Sequence, residues 1–450
     1  MSEHASPSLE SLDLWVEDAL KQGARHADVF CVRTHRRSVT VRLSAIDAIE
    51  HASLCPLGLR VFMDGGRQGF VSTTDARASQ RKDIVAHAIA MATHAPEEPC
   101  HGLIPSSALP RYDDESLDMM DSVEPNDIAL EHKARSMEEG ALSVKGITNS
   151  EGCQAQWACH DTMVVASNGL RARYRHSVHG IMLSVLAGTG THRERDYDYQ
   201  QCLHGDELGD LHARGQETAH RAIARLNPRK IESAPMPVVY DPRIASTLLQ
   251  HIADALNGDM LARGTSFLKE SKGKTIMPET IDIIDDPLRP RGLFSRPWDA
   301  EGTKSQTTHL VKKGRVHSYI LDRRAACLMQ ETSTGHAYRT PDSLPTPRTS
   351  NLFMANGTHT PQELLSGIKR GFYATELLGL SLNINTGDYS RGAAGFMIED
   401  GERTYPVSEV TIAGNLNHMY QQLTPANDLT FFYGIDAPTC LIDHMMVGGK

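Results

Sequence analysis

The chain reads as an α+β protein: an N-terminal unit of helices and antiparallel sheet, then a β-rich C-terminal unit carrying one prominent helix. Apolar residues recur at helical spacing in a few separate stretches, strict polar–apolar alternation marks many short strands, and Gly-bearing turns join those strands at hairpin distance. Its 450 residues, 40% hydrophobic and 23% charged, suffice for about two to three domains with cores of their own.

Leu9, Leu12, Leu14, Val16, Ala19 and Leu20 form a helical apolar face that ends near Gly23, and Val29 to Arg42 turns to strand-like alternation. Leu59, Val61 and Met63 lead into a turn at Asp64-Gly65-Gly66, with Phe70 and Ser72 leading out. Ile84, Val85, Ala88, Ile89 and Met91 predict a second amphipathic helix. Residues 96–125, rich in Pro, Ser and Asp, predict a surface crossing. A helix is expected over 128–144, an antiparallel meander over 162–199 turning at Ser167-Asn168-Gly169 and Gly188-Thr189-Gly190, and a further helix between Glu207 and Leu226. Asn227-Pro228-Arg229-Lys230 closes that helix, and Met236 to Tyr240 opens a new strand, so the main boundary is expected between 1–230 and 231–450. Beyond it come a strong helix, Arg243 to Asn257, and many short strands, including a pair turning at Lys313-Gly314 and a hairpin turning at Asp400-Gly401.

A net charge of -10 argues against general nucleic-acid binding, since phosphate neutralisation needs a basic face. The eight cysteines lack a CxxC pair, which fits reduced thiols better than a disulfide framework or zinc knuckle. The N-terminus carries acids where a secretory signal carries bases, and no stretch approaches 18 uninterrupted apolar residues, so a soluble, cytoplasmic protein without a membrane segment is expected.

His251 and Asp254 lie three apart on one helical face, the spacing of half a metal site or of a surface pair. His176 and His179, three apart on a strand, point to opposite faces. No Gly-x-Ser-x-Gly elbow is present, and Ser390 reads as a turn hydroxyl. Lys272-Gly273-Lys274-Thr275 echoes a phosphate loop without its upstream glycine, and His336 reads as a hydrogen-bonded structural histidine. Between Thr386 and Asn415, Gly387, Asp388, Tyr389, Ser390, Arg391, Gly392 and Glu409 form a candidate substrate-binding group. Arg391 can clamp a peptide carboxylate with Asp388 holding it, while Gly392 and Gly395 admit a substrate backbone; alternatively Asp388 and Arg391 cap one another across a turn.

The strings Gly387-Asp388-Tyr389-Ser390-Arg391-Gly392-Ala393-Ala394-Gly395-Phe396 and Pro406-Val407-Ser408-Glu409-Val410-Thr411-Ile412-Ala413-Gly414-Asn415 resemble the C-terminal signature of the TldD/PmbA family, in its PmbA (TldE) branch. Pro297-Trp298-Asp299-Ala300-Glu301-Gly302 and Ser333-Thr334-Gly335-His336-Ala337 match as well, and the resemblance covers nearly the whole chain. It implies that the TldD-like branch carries a His-Glu-x-x-x-His zinc motif ahead of the segment aligned with Gly258-Asp259 and Arg263-Gly264-Thr265-Ser266. Here Leu249, Gln250 and Asp254 stand at the three motif positions, and Ala437 stands where that branch places a cysteine ligand. Leucine offers zinc no lone pair, and glutamine cannot act as the base. Cys440, displaced by an odd number of residues, would point to the other face of a strand.

The resemblance therefore implies a metal-free subunit of a heteromeric metallopeptidase, with zinc in a TldD-like partner and unfolded peptides as substrates for maturation or degradation. A homodimer in isolation is compatible with it. A noncatalytic modulator, or a peptidase in its own right with a different metal site, stands as the alternative.

Overall fold

The computed structural model describes residues 8–75, 77–109 and 116–449. The first helix, α1 (Leu9–Lys21), starts at a Ser8–Ser11 capping box and buries Leu12, Trp15, Val16 and Ala19. Strand β1 (His26–Arg42) is unusually long, and two consecutive strands share one of its edges, β2 (Ala45–Leu54) and β3 (Leu57–Phe62). The sequence reading missed β2, whose apolar residues Ile46 and Ile49 stay exposed and so break the alternation that marks a half-buried strand. Next come β4 (Gln68–Thr73) and α2 (Ala78–His94), in which Val85 and Ala88 are buried but Met91, expected on the apolar side, is exposed. The segment 96–125 shows no strand among its described residues, yet it is not merely surface: Ile104, Leu117 and Met119 are buried, and Cys100 is disulfide-bonded to Cys327. The thiols are therefore not all reduced; residues 110–115 of this crossing lie outside the described residues.

Helix α3 (Asp127–Leu142) leads into the meander β5 (Ile147–Ala166), β6 (Arg171–Thr189) and β7 (His192–Cys202), which starts earlier than the alternation suggested, and α4 (Leu211–Ala224) follows. The strands form one antiparallel sheet in the order β4-β3-β1-β5-β6-β7, with β2 on β1. Two apolar clusters lie against it, one centred on α1 and α2, the other on α3 and α4.

Past residue 230 the chain builds a second sheet from β8 (Ala234–Tyr240), with α5 (Pro242–Ala255) directly after it. Asp241 caps α5 by accepting from the Arg243 N–H, and Pro242 at the first turn sacrifices no hydrogen bond. A short α6 (Gly258–Ala262), the strands β9 (Ile283–Asp285), β10 (Thr308–Lys312) and β11 (Arg315–Val316), α7 (Arg323–Leu328), β12 (Ala337–Tyr338), β13 (Thr346–Pro347) and β14 (Leu352–Met354) fill the middle. Then follow α8 (Pro361–Ser366), β15 (Arg370–Asn383), β16 (Asp388–Glu399), β17 (Glu402–Asn415), α9 (Leu416–Gln421), β18 (Leu423–Pro425), β19 (Ile435–Asp436) and β20 (Cys440–Gly448). The order β17-β16-β15-β8-β20-β18 is supplemented by β17–β20 pairs over Thr411–Ala413, so the pairing of five of these strands runs round a closed circuit.

The β16–β17 hairpin turns at Asp400-Gly401, both with positive φ (49° and 85°), as a two-residue turn of this kind requires. Val407 and Val410, an odd number apart, are nevertheless both in the main core. A bulge reconciles them: the register shifts between Ala393 and Gly395 opposite, and Glu409 takes φ 55°. Gly395 has no room for a side chain, since a Cβ there would lie 1.9 Å from the Tyr373 carbonyl oxygen.

The first sheet meets the C-terminal half of the chain at a buried junction. Asp28 on β1 accepts from Arg60 Nε on β3 at 3.1 Å and from Arg339 Nη1, beyond β12, at 2.9 Å. Around it Phe30, Val164, Leu170 and Ala172 pack with Trp298, Ala300 and Ala337. Burial pushes the Asp28 carboxyl up, but the Arg339 and Arg60 guanidiniums outweigh it and hold the group below its ordinary range. No helix of the described residues is long and apolar enough to cross a membrane, which does not bear on strands.

Asp28→Ala should destabilise the protein by about 3–5 kcal/mol in chemical denaturation, because two buried guanidiniums lose their shared partner. A depressed folded pKa means that Asp28 contributes fully above the unfolded carboxylate range and loses its contribution as pH falls through the folded value. The variant should accordingly show a shallower loss of stability in acid than the parent.

Candidate functional site

The site grows from the way α5 packs beside β14, β15 and β19. Ile244, Ala245, Leu248, Leu249, Ile252 and Ala255 recur at helical spacing and enter the main core, and His251 falls on the same buried side. Opposite, Tyr389 on β16 and Tyr240 on β8 are both buried in that core, and the Tyr240 hydroxyl donates to the Tyr389 hydroxyl at 3.4 Å. The His251 ring meets the Tyr389 ring edge-on, 5.8 Å between centroids. Tyr420 on α9 donates to the Leu248 carbonyl at 2.9 Å, and Met445 on β20 lies 3.5 Å from the Tyr240 hydroxyl.

Arg391, two residues beyond Tyr389 and half-buried, completes the group. Its Nε has no hydrogen-bond partner among the described residues, nor has either ring nitrogen of His251. Burial, then the Arg391 charge, lowers the His251 pKa to about 4, so the ring is neutral at physiological pH. Burial raises both phenols, Tyr389 and Tyr240, against a smaller opposing pull from Arg391. The result is a fixed cation among neutral hydrogen-bonding groups, an arrangement suited to a carboxylate or a polarised carbonyl.

The predicted residues separate into three places. Tyr389 and Arg391 face this group. Asp388 is exposed and accepts from Thr386 Oγ1 at 2.7 Å and Asn415 Nδ2 at 3.0 Å; it neither holds nor caps Arg391, from which the strand geometry turns it away. Gly387 is buried with φ 81°, and a Cβ would press on Asn417, Asn415 and Phe267, so it serves the turn. Ser390 and Gly392 are half-buried on the opposite side of β16 from Tyr389, and Glu409, exposed at the bulge, pairs with Lys230 at 2.6 Å. The space beside Gly395 is filled by backbone and admits no substrate.

Two of the four metal-motif positions, Leu249 and Ala437, have become core, whereas Gln250 is exposed and Asp254 half-buried. Leu249 is 1% exposed and Ala437 3%, Gln250 Nε2 donates to Asp254 Oδ1 at 2.9 Å, and burial raises the Asp254 pKa. His251 turns into the core and does not join Asp254 as a ligand pair. Cys440 is fully buried beside Met354, and because β20 begins only at Cys440, the strand-parity argument relating it to Ala437 does not apply. Among the described residues, no three His, Cys, Asp or Glu side chains are grouped to hold a metal ion. With two of the four positions lacking any side-chain donor, this set does not fit a zinc ion.

His336 behaves as a structural histidine, bonded to Thr334 and 3.2 Å from Asp285. His176 stacks on His160 whereas His179 lies 3.0 Å from Asp121, in different surroundings. Sequence reasoning missed Tyr240, Tyr420 and Met445. The alternation Met236, Val238, Tyr240 was a readable signal for the first, but nothing local marks the other two.

Profiles described as PmbA/TldA metallopeptidase domain 1, central domain and C-terminal domain match residues 27–92, 121–226 and 233–449. A metalloprotease PmbA homolog of Haemophilus influenzae is 32% identical over 445 residues, 98% of this chain and 96% of its own. A metalloprotease TldD homolog of Buchnera aphidicola is 25% identical over 338 residues, 70% of each. A crystal structure from Bacteroides thetaiotaomicron, described as a candidate modulator of DNA gyrase, superposes with a TM-score of 0.90 over 98% of both chains at 24% identity, which speaks to the fold.

His251 should remain neutral by NMR titration until pH approaches 4. Its unfolded form takes up a proton nearer 6.5, so stability should fall as pH drops through the window from 6.5 to about 4, by up to about 3 kcal/mol. His251→Phe should remove most of that pH dependence.

Proposed function

The chain belongs to the PmbA/TldD metallopeptidase family, on its PmbA branch, and from that premise we propose that it is the metal-free, peptide-gripping subunit of a heteromeric peptidase. A TldD-like partner supplies the zinc, its ligands and the general base. The observation that carries this reading is the coexistence of Leu249 and Ala437, buried where ligands would stand, with an intact polar group at Arg391, His251 and Tyr389 a short distance away on the same framework.

The division of labour follows from the side chains. Arg391 offers its guanidinium to a carboxylate of an unfolded peptide, and the neutral His251 and the Tyr389 phenol complete the contact without adding a second charge. Leu248, Leu249 and Ile252 exclude water on the helix side, which strengthens any charge-assisted hydrogen bond formed there. Metal-assisted attack on the peptide takes place on the partner's residues. Related subunits with a shared fold pair readily through matching surfaces, which supports a heteromer and also permits a homodimer when the chain is alone. The work of such an assembly in the cytoplasm is peptide maturation and removal of small labile proteins.

Cleavage of a defined unstructured peptide should require both this chain and a TldD-like partner, with neither sufficient alone. Stoichiometric zinc and turnover in the isolated chain would overturn the assignment; a TldD-like chain that never co-purifies and restores no cleavage would favour a modulator instead. Restoring Leu249→His, Gln250→Glu and Asp254→His together should not confer activity while Ala437 remains. Arg391→Ala in the assembled enzyme should raise KM for a short acidic peptide roughly tenfold, in line with loss of one charge-assisted bond, and Arg391→Lys should recover only part of it.

A further inference from the structure

Far from that group, two thiols stand against each other at the bend where β2 gives way to β3. Cys31 on β1 is fully buried; Cys55, in the Cys55-Pro56 link between β2 and β3, is half-buried and reachable from solvent. Pro56 interrupts the ladder while its carbonyl still accepts from the Val32 N–H at 3.3 Å, and this corner aims Cys55 back across the strand edge. The two Sγ atoms are 3.5 Å apart in one hydrogen bond. Arg33 lies two residues from Cys31 on the same face of β1, in an ion pair with Asp161. Neither thiol has a part in the site around Arg391.

We propose that Cys31 and Cys55 form a redox-active dithiol, which a low-molecular-weight disulfide converts reversibly to an intramolecular cystine. The accessible Cys55 thiolate attacks one sulfur of the disulfide RSSR, forming a mixed disulfide and releasing RS⁻, which takes up a proton. The Cys31 thiol then loses its proton and attacks the Cys55 sulfur, and the second RS⁻ leaves as RSH. The protein loses two hydrogens and the small disulfide is reduced to two thiols. The inequality of the two sulfurs sets the order of events: the hydrogen bond from Cys31, then Arg33, lowers the Cys55 pKa, whereas the hydrogen bond and burial raise that of Cys31. Closing the bond requires the sulfurs to move from 3.5 Å to about 2.05 Å, a side-chain torsion and not a rearrangement of the sheet. A solvent-reached, charge-flanked pair of this kind differs from Cys153 and Cys440, whose burial raises their pKa values and closes them off.

The test uses the intact folded protein, equilibrated with oxidised and reduced glutathione at graded ratios, quenched in acid, alkylated and mapped by peptide mass spectrometry. Cys31 and Cys55 should leave the alkylated pool together, in a joined peptide lighter by two hydrogens, and return on reduction. In Cys31→Ser the glutathione adduct should accumulate on Cys55 to near one per chain, and in Cys55→Ser residue Cys31 should stay free, with circular dichroism checking the fold of each. The wild-type mapping stands without the variants. Cys31 and Cys55 both remaining alkylated at every ratio would overturn the proposal, as would an adduct on Cys55 equally abundant in wild type and Cys31→Ser.

Discussion

One carboxylate, Asp28, lies at the point where the two halves of the chain are joined, and their arrangement depends on it. It sits on the first long strand, shares its oxygens between a guanidinium of its own sheet and one from the other half of the chain, and is sealed by Phe30 and Trp298 with their neighbours. A buried charge is tolerable only when its partners are in place, so this junction has one acceptable geometry. Arg339 also lies over the Phe30 ring at 4.7 Å, adding an aromatic contact to the same cation. Further ion pairs, Arg243 with Asp196 and Arg225 with Glu376, tie the halves together along the same side. The Cys100–Cys327 disulfide adds a covalent link between the crossing segment and α7.

With that frame set, the second sheet holds a buried polar group on its inner side. Closing the strands into a circuit lets α5 place His251 against Tyr389 in a dry environment. Dryness is what keeps His251 neutral, and it is what gives the single guanidinium of Arg391 its weight. The same packing has absorbed Leu249 and Ala437 so completely that side chains able to bind zinc there would have to displace core contacts as well as supply donors. Packing thus occupies positions that a metal site would otherwise need.

Much of this was legible in the residues. The helical spacing around Ile244, Leu248 and Ile252 gave α5, and Asp241-Pro242 gave its start. Asp400-Gly401 announced its hairpin, because few other dipeptides accept two positive φ values in succession. The family signature pointed to the neighbourhood of Arg391 and to the degenerate motif. What escaped reading had no local mark: β2 exposes its apolar side chains, the bulge at Glu409 looks like a break in alternation, and Asp388 beside Arg391 in sequence suggests a pair that the strand keeps on opposite faces. The crossing over 96–125 has a loop's composition, yet Leu117 and Met119 are drawn into a satellite core by residues more than fifty positions away.

By itself, the sequence determined the class of the fold, the order of most elements, the family, and the absence of donor atoms at Leu249 and Ala437. These are properties of local periodicity and of residue chemistry, which travel with the chain whatever it packs against. Tertiary structure alone decided that Tyr240, Tyr420 and Met445 surround Tyr389, that His251 faces inward without a partner for its ring nitrogens among the described residues, and that Asp28 joins the two halves of the chain. Each of those outcomes depends on which distant side chains exclude water from a group and which charges remain near it, and burial of that kind exists only once the strands have closed and the helices have docked.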